Sequence, residues 1–181
     1  MIAVRLGELE KLAASAILWP VTAEWGAVTP AMRRFEIAAG AGVDEQCRRM
    51  GDLPVGSAIV TAAGDLPAEL LIHAVVRSAT EPVSETGVAK ALLNALRRAD
   101  EWGIEELALP PLGTGAGNLD AEVAAEVMVP ILVEWLRSDR HPHRVIVVVE
   151  TEYELDVFER GARQAEAAGT GDAAGLPTLD P

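Results

Sequence analysis

The stretch from Glu105 to Leu119, EELALPPLGTGAGNL, constrains the fold more than any other. A short apolar run, Glu105 to Leu109, passes into a loop where Gly113, Gly115 and Gly117 alternate with Thr114 and Ala116. Helical apolar spacing begins at about Asp120. A strand, a glycine loop and a helix in that order let backbone N–H groups converge just ahead of a helix N-terminus, where the macrodipole also favours negative charge. Glycine removes the Cβ atoms that would hold an anion away and permits positive φ. The same pattern also serves a tight turn that holds no ligand. G-x-G-x-G lacks the lysine of a P-loop and the spacing of a dinucleotide fingerprint.

The rest of the chain supplies further strands and helices. Ile2 to Leu6, Ala16 to Trp19 (ended by Pro20), Gly56 to Ala62, Leu70 to Val76 and the β-branched run Arg144 to Val149 read as strands. Continuous apolar runs such as Leu70 to Val76 suit a sheet covered on both faces. Helices are expected at Ala31 to Ala39, Val43 to Met50, Glu85 to Trp102, Asp120 to Arg137 and about Glu154 to Ala168. Val88, Ala91, Leu92, Ala95, Leu96, Ala99 and Trp102 fall at helical spacing, and Gly103 is placed to follow that helix as its C′ residue. Pro130 should kink the helix that contains it.

Six strands interleaved with helices predict an α/β domain of three layers, α/β/α, with a mixed, largely parallel sheet. The domain is expected over residues 1–165, and the Gly-, Ala- and Pro-rich segment 166–181 reads as a disordered tail. In open α/β sheets the ligand crevice lies outside the carboxyl ends of the strands. The glycine loop leaves one such end.

Charge and composition narrow the function. A formal net charge of −13 argues against direct nucleic-acid binding, because phosphate neutralisation needs a basic face. It does not exclude a phosphate-bearing small ligand held by backbone N–H groups. No apolar run approaches a membrane span, no basic and apolar leader opens the chain, and one cysteine, Cys47, leaves no internal disulfide. A cytoplasmic protein without a membrane partner is expected.

Four segments together resemble the macrodomain, an ADP-ribose-binding module, from about Ile2 to Phe158. They are Ala38-Ala39-Gly40 with Glu45-Gln46-Cys47-Arg48, Gly56 to Thr61 with Leu66-Pro67, Leu71 to Val75, and Leu109 to Gly117. The resemblance implies that Gly113, Thr114, Gly115, Ala116 and Gly117 hold phosphate groups through backbone N–H donors. It puts Glu8 where the family has an aspartate that contacts the adenine amino group. The ligand implied is ADP-ribose or a related nucleotide, free or protein-linked, with no cofactor.

The chain departs from the family in its first ligand loop. The family's catalytic asparagine falls on Thr22, which can hydrogen-bond a ribose hydroxyl but lacks an amide's paired donor and acceptor. The acid carried by several hydrolytic members falls on Met32, and Ala23 to Met32 retains one glycine, Gly26. Trp19 and Trp25 offer either stacking surface or core packing. Any hydrolysis would need a different acid or base, with Asp120 and Glu24 as candidates; Asp120 and Asn118 also suit helix N-caps. Tyr153 is the nearest aromatic after the last strand, where it could stand in for the family's adenine-stacking residue, and Glu150, Glu152 and Glu154 crowd the same region. His73 reads as a buried core histidine and Cys47 as a packing residue with no partner histidine. His141 and His143 lack a third ligand in sequence reach, so no metal is expected.

Three functions follow from these readings: nucleotide binding, ADP-ribosyl hydrolysis with a non-standard acid or base, and a ligand-free domain that works as a protein-interaction module.

Overall fold

A computed structural model of the protein describes residues 2–27, 29–115 and 118–171. Its centre is a six-stranded sheet of β1 (Ile2–Leu6), β2 (Ala14–Thr22), β3 (Ala58–Ala62), β4 (Ala68–Arg77), β5 (Glu106–Leu109) and β6 (Arg144–Val149). The order is β1-β6-β5-β2-β4-β3, parallel throughout except for the edge strand β3, which runs antiparallel to β4. Five helices cover the sheet: α1 (Pro30–Ala39), α2 (Ala41–Arg49), α3 (Glu85–Glu101), α4 (Ala121–Arg137) and α5 (Glu152–Gly171). The expected mixed α/β/α architecture is the one observed.

Strand alternation divides the core into two apolar layers. Ala16, Leu18, Ile72, Ala74, Val145 and Val147 face α3, α4 and α5, while Ile17, Trp19, Leu71, Val75, Ile146 and Val148 face α1 and α2. Both faces are buried, which is why the central strands carry continuous apolar runs such as residues 16–21 and 74–76. Phe158 of α5 and Met128 of α4 are fully buried on the first side.

Local chemistry sets the helix ends. Thr29 caps α1 by accepting the Met32 N–H at 3.1 Å, and Pro30 occupies the first turn, where no N–H is missed. Ser84 caps α3 through the Gly87 N–H at 3.0 Å, and Gly103, at φ 62°, follows the α3 C-cap as its spacing predicts. Thr151 and Glu154 form a capping box for α5: the Glu154 carboxylate accepts the Thr151 N–H at 3.2 Å, and the Glu154 N–H reaches the Thr151 hydroxyl at 3.2 Å. The helix reaches Gly171, so the first part of the segment read as a tail is helical. Residues 172–181 lie outside those described.

β2 corrects one expectation. It does not end at Pro20 but continues to Thr22. β5 pairs with β2 only at Ala16 and Ile17, so farther along β2 runs beside β4 alone. A strand tolerates a residue without an N–H where one side lacks a partner. α4 likewise continues through Pro130, which lies on its exposed side. No helix among the described residues is long and apolar enough to cross a membrane.

His73 is buried in the layer under α1 and α2, as its apolar surroundings predict. Its Nε2 lies 2.9 Å from the Thr61 hydroxyl, which donates its own hydrogen to the Ala62 carbonyl. Thr61 therefore accepts from His73, and Nε2 carries the proton. Cys47 does have a histidine neighbour, contrary to the sequence reading: its Sγ is 3.6 Å from the His73 ring. Burial pushes the Cys47 thiol up to about 11 and pulls His73 down to about 4, so the pair is neutral and not an activated thiolate.

The low value makes His73 a pH-dependent stability element. The unfolded chain takes up the proton near the ordinary 6.5, and the folded chain only near 4. Stability is then full above about pH 6.5 and falls as the pH drops toward 4, by on the order of 3 kcal/mol. Urea unfolding of wild type and His73→Gln across this range should give a steeper acid loss for wild type. Parallel curves would contradict the assignment.

Candidate functional site

The parallel strands β1, β2, β4, β5 and β6 end on one edge of the sheet, and a crevice of about 450 Å³ opens there. That volume is within the range of small-molecule sites, about 300–1,000 Å³. Gly7 after β1, Thr22 ending β2, Arg77 ending β4, Gly113 and Gly115 after β5, and Glu150 after β6 all line it. A separate cavity behind it, between Trp19, Phe35 and His73, measures about 40 Å³ and is too small for a nucleotide.

The two glycines described in the loop have different duties. Gly113, at φ 76°, lies so close to α3 that an added Cβ would come within 2.7 Å of Val88 and 2.8 Å of Val83. Its carbonyl accepts the Leu119 N–H at 3.0 Å, which closes the loop ahead of α4. Gly115, at φ 108°, is exposed, and the nearest atom to an added Cβ is Thr29 Cγ2 at 3.6 Å. Gly113 is therefore fixed by packing, and Gly115 by backbone conformation at an open wall. Thr114 lines the same wall and hydrogen-bonds the Pro111 carbonyl at 3.3 Å. Ala116 and Gly117 lie outside the described residues.

The start of α1 stands across from this loop. Thr29, Pro30, Ala31 and Met32 all line the crevice. Its positive dipole end and the glycine loop thus border one space, an arrangement that suits an anion. The turn that follows β2 is closed by Thr22, whose hydroxyl accepts the Gly26 N–H at 3.0 Å and lies 3.3 Å from the Gly26 carbonyl. Trp25 occupies the turn at φ 61°, is buried, and donates its indole N–H to the Gly51 carbonyl at 2.8 Å. Trp19 stacks on Phe35 at 3.8 Å between ring centroids. Both tryptophans are chiefly core residues, although the edge of Trp19 reaches the crevice.

The acids are distributed differently from the sequence reading. Glu8 is exposed beside the crevice and pairs with Lys11, which holds its carboxyl below the usual range, while its neighbours Gly7 and Leu9 form the wall. Glu10, two residues on, lines the wall and is nearly buried. Arg34 pairs with both Glu10 and Glu150 and so ties α1 to the first turn and to the end of β6. Asp120 occupies the N-cap position of α4 without a side-chain capping bond, is exposed, and is not on the crevice wall. Glu24 accepts the Ala79 N–H at 2.8 Å. Tyr153 points its hydroxyl at Glu122 and is also off the wall, and Glu154 is occupied by the α5 capping box.

Glu10, Arg34 and Arg77 were not anticipated. Sequence spacing carries no signal for them, since Arg34 meets partners 24 and 116 positions away. The reason for excluding a metal also fails: Glu105 comes within ligand spacing of His141 and His143.

Known proteins resemble this chain in sequence and in fold. Residues 29–128 match the family model described as the Macro domain. An uncharacterized protein of Aeropyrum pernix is 35% identical over 172 residues, covering 91% of this chain and 87% of the relative. The O-acetyl-ADP-ribose deacetylase of Enterobacter sp. strain 638 is 35% identical over 141 residues, covering 75% of this chain and 77% of that enzyme. Among solved structures, the Oceanobacillus iheyensis macrodomain with ADP superposes at a TM-score of 0.83, with 19% identity and 91% of each chain covered.

Proposed function

The chain belongs to the macrodomain family, and we propose that its crevice binds ADP-ribose or a related nucleoside diphosphate, free or attached to a protein. The observation that carries this reading is the opposition of the glycine loop and the α1 N-terminus, which approach to 3.6 Å between an added Gly115 Cβ and Thr29. Two elements that favour negative charge share one space, and Arg77 adds a cation at the end of β4. Backbone N–H groups from Gly113 to Gly117 are assigned to the diphosphate, with Thr114 shaping the loop. The overall charge of −13 slows anion approach without preventing capture by these local donors.

The turn from Gly7 to Glu10 is assigned to the adenine. Glu8 is an acceptor-only carboxylate suited to the exocyclic amino group, and it would exchange its exposed Lys11 partner for the ligand. Thr22 spends its hydroxyl on Gly26 and so contributes the shape of the ribose wall more than a free hydrogen bond.

A second reading, turnover of an ADP-ribose ester, is favoured by the likeness to the Enterobacter deacetylase. It lacks an obvious base. Asp120 stands off the wall, Glu24 is engaged by Ala79, and Glu10 and Glu150 are held by Arg34. Binding without turnover therefore comes first.

Gly115→Val should reduce ADP-ribose affinity by at least about 100-fold in a variant that remains folded by circular dichroism. Unchanged affinity would remove the loop from the site. Incubation of wild type with O-acetyl-ADP-ribose should release acetate no faster than buffer. Catalysed release that Asp120→Ala abolishes, with nucleotide binding intact, would establish the second reading instead.

A further inference from the structure

The edge of the sheet opposite the crevice carries a cluster that nucleotide binding does not use. Glu105 immediately precedes β5, and His141 and His143 lie in the last three residues before β6. Parallel pairing of β5 with β6 brings the two starts together, with Glu106 beside Arg144. The Glu105 carbonyl accepts the N–H of His143 at 3.1 Å and of Arg144 at 3.2 Å. The His141 N–H donates to Asp100 at 3.0 Å, and its carbonyl accepts the Trp135 indole N–H at 2.9 Å. Backbone bonds therefore hold the three residues in place before any ligand arrives.

Their side chains are arranged as ligands are. One donor atom from each lies within 4.8 Å of the others, and the two imidazole rings sit 4.4 Å apart between centroids. His141 Nδ1 is buried without a hydrogen-bond partner, a condition that a native structure normally avoids. It lies 3.6 Å from the nearest Glu105 carboxylate oxygen. That gap is long for a hydrogen bond. It is close to the separation of two ligands on one tetrahedral zinc, roughly 3.3–3.5 Å for bonds of about 2.0–2.2 Å.

We propose that Glu105, His141 and His143 bind one divalent transition-metal ion of the Zn2+ class, with a fourth position left to water. Two imidazoles and one carboxylate select such an ion over Mg2+ or Ca2+, which take oxygen ligands. The orphaned Nδ1 would become a metal ligand, and the carboxylate would offset part of the ion's charge. Bound there, the ion would clasp the α3–β5 connection to the loop between α4 and β6. The strands separate this site from the crevice, so it stands or falls independently of ADP-ribose binding.

The test is calorimetric titration of the full, tag-free, chelator-treated chain with ZnCl2, with thermal unfolding alongside. One ion per chain should bind at micromolar concentration or tighter and raise the Tm, while MgCl2 gives no binding heat. Glu105→Gln and His143→Ala, at exposed positions, should keep the metal-free Tm and weaken zinc binding at least about tenfold each. Absence of saturable zinc binding would overturn the proposal and leave a His–carboxylate pair. Equal affinity in wild type and both variants would overturn it as well.

Discussion

Burial of the parallel strands on both faces is the constraint on which the rest of this molecule depends. β2, β4, β5 and β6 can lose their water only if helices cover each side, and α1 and α2 on one face and α3, α4 and α5 on the other do so. Once both faces are closed, the strand ends are the remaining places where backbone can meet a ligand. Parallel pairing collects the carboxyl ends on one edge. The crevice is a consequence of that pairing, and the loops decide what it accepts.

Those loops divide the work between packing and recognition. Gly113 is pinned by Val88 of α3 and by Val83 just ahead of that helix, and it sets Gly115 at the open wall facing Thr29. Thr29 in turn caps α1 and fixes where that helix begins. The loop after β2 has few glycines. It is instead a turn closed by the Thr22 hydroxyl, with Trp25 as its buried plug. Arg34 then links α1 to Glu10 and Glu150, so ion pairs join three chain segments around the crevice.

Much of the fold was legible in the sequence because period and apolarity are local properties. Val88 to Ala99 at helical spacing and the β-branched run of β6 both read correctly, although Trp102, at the same spacing, is exposed at the helix end. Pro20 misled because proline usually ends a strand, and only the neighbour order shows that β2 has an open side there. The site was less legible. Gly113, Gly115 and Thr22 border the crevice, but Glu8 stands beside its wall and Asp120 away from it, and a one-dimensional distance from the glycine loop could not show this. Arg34 with Glu10 and Glu150, Cys47 with His73, and Glu105 with His141 are tertiary meetings. Sheet pairing and helix docking create them, and no spacing rule encodes them.

Calorimetric titration of the wild-type chain with ADP-ribose, with AMP and ADP as controls, tests the central claim most directly. The account predicts micromolar binding of ADP-ribose that weakens stepwise when the distal ribose and then the second phosphate are removed, because the glycine loop and the α1 N-terminus grip the diphosphate. No heat at millimolar ADP-ribose would contradict it. The crevice would then be a macrodomain scaffold without its nucleotide, and the protein's ligand would have to be sought among other proteins.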